Sequence, residues 1–241
     1  MTKQNSNERS AGRAQNLVFY DITGGKIGFK RTLKSSWNIV GLAVVAGGQT
    51  VVADAQSGVL HVIDPMTWGA KRELNDYRLT TPTCIARGGP RINDVYVADG
   101  ARAVVIVFDA INGSVIREFG ADDNPGRLAK PIAIAVDNVG RVLVLDKEHR
   151  QLFVFDGGNG DFVGTISMTG CLDPRDIAVK NRSPDTNDQV GGGQLFIVDA
   201  GRGEIMTAWY EFSPSTGTAQ KSSGTKRSND DGDGSDAAAK K

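Results

Sequence analysis

Apolar residues in this chain arrive in bursts of four to seven, separated by polar turns, and many bursts end on aspartate. The segment 142–166, VLVLDKEHRQLFVFDGGNGDFVGTI, holds three such bursts, and the first two close on Asp146 and Asp156, ten positions apart. The same pair recurs upstream as VYVAD ending at Asp99 with VIVFD ending at Asp109, and again as TVVAD ending at Asp54 with HVID ending at Asp64. Each pair is preceded by another apolar run, starting at Val40, Pro82 and Pro131, and followed by a turn and a fourth run. The period is 45 residues from Asp54 to Asp99 and 47 from Asp99 to Asp146. A weaker copy starts at Pro174 and reaches Asp199 across an insertion at 181–193. At the other end, NLVFYD closing on Asp21 and KIGFKRTL at 26–33 match only the third and fourth runs.

Short runs rich in valine, isoleucine and phenylalanine favour strands, and Asn-Gly or Gly-Gly pairs supply the positive dihedrals of tight hairpins. Four strands in succession make a small antiparallel meander. One meander buries neither face alone, so copies stack, and radial stacking of four-stranded sheets is a β-propeller. A period of 45 to 47 residues fits that architecture and is too long for leucine-rich or ankyrin repeats. No stretch carries a 3.6-residue apolar period, so helices are minor. The sequence therefore predicts an all-β chain of four-stranded antiparallel blades over residues 17–212, four to five in number. The ring is either closed by strands from both chain ends or left as a partial arc, which would expose apolar faces that self-associate. Residues 1–16 and the serine-, glycine- and lysine-rich tail 213–241 have too few apolar residues to order themselves and are expected to be disordered.

The repeated aspartates are expected to serve the blade. Asp54, Asp99, Asp146 and Asp199 end the second run of each unit, where a short acceptor side chain can take backbone N–H groups of the following turn. A ring of carboxylates holding a metal or acting as acid and base is the rival reading, but catalysis needs an asymmetric site.

Composition removes several classes. Twenty-eight basic residues balance 28 acidic ones, so no net field points to nucleic acid or a membrane surface. Two cysteines, Cys84 and Cys171, stand far apart without metal-ligand spacing, which favours a reducing compartment. No secretory leader and no apolar run near the roughly 18 residues of a bilayer span are present, so the chain reads as cytoplasmic. His61 and His149 occupy different repeat positions and so need not converge on one ion. No phosphate loop, nucleophile elbow or zinc-protease motif occurs, so no cofactor, metal or catalytic residue is assigned.

The segment 130–160, KPIAIAVDNVGRVLVLDKEHRQLFVFDGGNG, resembles an NHL repeat, a pattern with a proline-led G-I-A-V-D, a G-x-I-Y-V-A-D strand and an R-I-Q-V-F-D strand. The segment 94–120, DVYVADGARAVVIVFDAINGSVIREFG, is a second good copy. The resemblance implies a propeller. Its family includes protein-binding and RNA-binding modules and some enzymes, and fold alone does not choose among them. In such a propeller the loops from second to third strand and from one blade to the next share a face. That face collects Arg102, Arg127, Lys130, Lys147, Arg150 and Arg202, a mildly basic rim on a neutral chain. The expectation is a non-catalytic scaffold binding a protein partner with acidic character there. RNA on the same rim and a metal-dependent lactonase or lyase are the alternatives. Charge reversal at Lys147 and Arg150 is the variant that this reading selects.

Overall fold

Each apolar burst forms one strand in the computed structural model, which describes residues 15–24, 26–89, 91–121, 125–181 and 192–211. The two end segments expected to be disordered, all but residues 15 and 16 of the first, and most of the insertion at 181–193 lie outside that set. β1 (Asn16–Thr23) and β2 (Lys26–Lys34) pair as a two-stranded hairpin. Three four-stranded meanders follow. The first is β3 (Ile39–Val44), β4 (Thr50–Asp54), β5 (Val59–Ile63) and β6 (Ala70–Leu74). The second is β7 (Pro82–Arg87), β8 (Asp94–Asp99), β9 (Val104–Asp109) and β10 (Val115–Phe119). The third is β11 (Pro131–Val136), β12 (Arg141–Asp146), β13 (Gln151–Asp156) and β14 (Phe162–Ser167). A three-stranded sheet of β15 (Pro174–Asn181), β16 (Gly192–Asp199) and β17 (Glu204–Glu211) completes the described chain. Every pairing is antiparallel between sequence neighbours, and one 3₁₀ turn at Ala46–Gly48 is the only helical element among the described residues.

The inner strands β3, β7, β11 and β15 lie side by side in that order, so the sheets stack about a common axis. Alternation along a strand then sends neighbouring side chains to different interfaces. In β12, Val142 and Val144 enter the core shared with Tyr96, Ala98, Val105 and Val107 of the preceding sheet. Leu143 and Leu145 enter the core shared with Ile177, Leu195 and Ile197 of the next. Both faces are buried, which is why the second strand of each unit is written almost without polar residues. Inner strands come close enough to require a missing side chain at Gly41, where a Cβ would lie 2.8 Å from Cγ2 of Ile85.

The described strands form a partial propeller. β1–β2 pairs with no strand of β15–β17, so neither strand exchange envisaged for ring closure is made. The hairpin instead leans on the β3–β6 sheet: Phe19 packs on Trp68 with ring centroids 4.7 Å apart, and Arg31 donates to the Thr67 carbonyl at 2.8 Å.

A rim of clasped loops as the candidate functional site

The loops on one face are tied down by the repeat itself. At the end of each second strand a buried carboxylate accepts from two directions at once. Asp54 takes the Asn38 N–H at 2.8 Å from the loop before β3, and the Gln56 N–H and Ser57 hydroxyl from its own turn. Asp99 takes Thr80 and Thr81 N–H groups on one side and those of Ala101 and Arg102 on the other. Asp146 joins Ala129 and Lys130 to His149, and Asp199 joins Leu172 and Asp173 to Gly201. Beside each carboxylate the next residue's N–H donates to the carbonyl just ahead of the first strand: Ala55 to Asn38, Gly100 to Thr81, Lys147 to Lys130, Ala200 to Asp173, at 2.8–2.9 Å. Burial pushes the carboxyls of Asp54, Asp99 and Asp199 up, but the converging hydroxyl and N–H donors outweigh it and hold all three below their ordinary value.

Four residues beyond each of these aspartates the turn enters the left-handed region, at Gly58, Ala103, Arg150 and Gly203 (φ 54–68°). Two of the four are not glycine, which costs about 1–2 kcal/mol each. At Arg150 the cost coincides with a contact, because its guanidinium donates to the carbonyls of Cys171 (2.7 Å) and Leu172 (3.2 Å) on the next inter-blade loop. Arg102 makes a bidentate pair with Glu118 at 2.6–2.7 Å and donates to the Arg78 carbonyl. Arg202 donates to the Gly170 carbonyl at 3.2 Å and stands 3.6 Å from Asp199. Lys147 lies 3.0 Å from Asp173. These four cations therefore have acceptors within the rim. Arg127 and Lys130 are exposed on the loop between β10 and β11. On the loop before β7, Tyr77 is 88% exposed, with the Arg78 guanidinium 5.6 Å from its ring centroid.

A second set of braces works through the fourth strands. Arg72 of β6 reaches the carbonyls of Ala110 and Ile111, and Arg117 of β10 reaches that of Gly157, each in the next sheet's turn. The signal for this pair was present as the repeated Arg-Glu of KREL and IREF, 45 residues apart. Nothing local marked the Tyr210 hydroxyl, which donates to buried Asp137 at 3.3 Å and ties β17 to the sheet before it. Burial raises the Asp137 carboxyl, against the opposing pull of the Arg141 N–H and guanidinium.

The histidines stay apart. His61 is buried under Trp37, ring on ring at 3.9 Å, between Asp54 and Glu73; His149 sits on the rim, 3.2 Å from Asp146. Among the described residues no group of three or more His, Cys, Asp or Glu side chains is placed to hold a metal ion. Cys84 is deep in an inner strand, and burial pushes its thiol up to about 12. Cys171 is buried within the rim loop, its sulfur 3.5 Å from that of Met206.

Stacked antiparallel four-stranded sheets about one axis, with their loops gathered on a rim, define a β-propeller-type protein. Comparison with solved structures agrees at the level of fold. Hydrazine synthase from Kuenenia stuttgartiensis superposes with a TM-score of 0.57 at 15% identity, over 81% of this chain and 60% of that one. Virginiamycin B lyase from Staphylococcus aureus superposes with a TM-score of 0.57 at 14% identity, over 85% of this chain and 62% of that one. The chain thus spans about three fifths of the length of these neighbours. No known family's sequence pattern matches it, and no curated protein matches by sequence. No helix among the described residues is long and apolar enough to cross a membrane.

Proposed function

We propose that this protein is a non-catalytic binding scaffold, an NHL-like propeller whose loop rim takes an acidic segment of a protein partner. The observation that carries the reading is a division of labour on the rim. Arg102, Lys147, Arg150 and Arg202 meet acceptors of the fold, while Lys130 and Tyr77 are exposed on loops held by buried carboxylates. Recognition by loops on a stiff β framework loses little entropy on binding. An exposed cation on one inter-sheet loop and an exposed aromatic on the neighbouring one suit carboxylates flanked by an apolar side chain. The NHL assignment rests on the repeated strand pattern of residues 94–120 and 130–160.

Arg150 is a poor choice for charge reversal, because a glutamate there would face the carbonyls of Cys171 and Leu172. Lys130→Glu with Tyr77→Ser tests the rim through two exposed side chains. In fluorescence anisotropy the wild-type chain is expected to bind a labelled Asp/Glu-rich peptide, more weakly as salt rises, and at least ten-fold more weakly after the double substitution. Binding of a single-stranded RNA oligomer in place of the peptide would make the same face an RNA site. Equal binding by both proteins, or binding of neither probe, would remove the rim from the account.

A further inference from the structure

We propose that copies of this chain associate head to tail, the β1–β2 hairpin of one copy packing on the open face of β15–β17 of the next. The repeat register shows what each open face would have to meet. Ile205 of β17 is the sixth residue after Asp199, and the sixth residues after Asp54, Asp99 and Asp146 are Leu60, Val105 and Leu152. Those three are fully buried against the following sheet, whereas Ile205 is 69% exposed. Val198 directly precedes its aspartate, as Ala53, Ala98 and Leu145 do; all three are at 0% and Val198 is at 41%. The last sheet therefore carries on its outer side the same apolar positions that three inter-sheet cores use.

The matching surface lies at the other end. Tyr20 and Val18 are the first and third residues before Asp21, the places taken by Ile63 and His61, Phe108 and Ile106, and Phe155 and Phe153 in the complete sheets. Ile106 and Phe108 lie in the core shared with β3–β6, and Phe153 and Phe155 in that shared with β7–β10; all six are 4% exposed or less, yet Tyr20 is 57% exposed and Val18 43%. Leu17 and Phe19 alternate with them and turn toward the β3–β6 sheet, as the Phe19–Trp68 contact records. One end of the arc thus offers the preceding half of a blade interface, and the other end offers the following half. The pairing that buries both is the one already made three times inside the chain. Faces of different identity give a heterologous contact, which joins copies in series.

The inner strand of the last sheet fits this occupant as well. Asp176 stands where the other inner strands have Gly41, Cys84 and Ala133, and it is exposed together with Lys180. A complete blade packed there would bury that carboxylate. The β1–β2 hairpin matches only the third and fourth strands of a unit, so it covers Val198 and Ile205 and leaves Asp176 in water.

Cysteines placed at the two faces test the contact. A Tyr20→Cys chain mixed with an Ile205→Cys chain and a short bismaleimide is expected to yield a covalent dimer. Neither variant alone should cross-link, and neither should the wild type, whose thiols are recessed. Light scattering of the wild type is expected to exceed the 25.6 kDa of one chain. Ile205→Lys, at a position exposed in the single chain, should return it to one chain with an unchanged circular-dichroism spectrum. A wild-type mass of one chain at all concentrations would overturn the proposal. So would cross-linking by either variant alone, which would signal a symmetric contact. Cross-linking within single chains carrying both cysteines would do the same, since it means that the ends of one copy meet.

Discussion

Asp99 shows how one side chain organises a blade. It is fully buried and accepts the backbone N–H groups of Thr80, Thr81, Ala101 and Arg102, so one carboxylate fixes two loops that are distant in sequence. Replacement by alanine strands those donors and is expected to cost roughly 3 kcal/mol, read as a lower urea midpoint. The pH dependence has a definite sign. Asp54, Asp99 and Asp199 titrate below the ordinary 3.8 in the folded chain. Their stabilisation is therefore complete above that value and fades as pH falls through the lower folded ones. Asp99→Asn keeps an acceptor oxygen but cannot titrate, so its urea midpoint should fall less steeply than that of the wild type between about pH 4 and pH 2. Parallel acid profiles for the two proteins would deny Asp99 this role.

The strands were legible from alternation alone because a blade's second strand is buried on both faces and its ending aspartate punctuates it. The runs closing on Asp54, Asp99 and Asp146 became β4, β8 and β12. What the rim arginines do was not legible. A guanidinium's acceptor lies on another loop, as with Arg150 and the Cys171 carbonyl 21 positions away, and strand register says nothing about where a long flexible side chain ends. The fate of the two end segments was also hidden, since β1 and β17 each satisfied the pattern of a third strand and only packing decides whether they share a sheet. Burial differs sharply between elements. In the single-copy Ile205→Lys chain, amides of β8 and β12, covered on both sides, should exchange most slowly with solvent, and those of the exposed β1–β2 hairpin much faster. Hydrogen exchange read by mass spectrometry checks this, and equal protection of the hairpin would mean that it is covered in the isolated chain.

At the scale of the molecule, the described residues make three complete sheets flanked by a hairpin and a three-stranded sheet, a propeller that does not close upon itself among those strands. Its rim is clasped by the repeat and its two ends carry exposed apolar residues, which separates the surface we propose for an acidic partner from those we propose for a second copy. Small-angle X-ray scattering of the Ile205→Lys chain at a concentration where it is a single copy tests this arrangement most directly. The account predicts a profile fitted by the open arc, with Tyr20 and Ile205 both facing solvent. A profile fitted only by a closed disc, with β1–β2 seated against β15–β17 of the same chain, would contradict it.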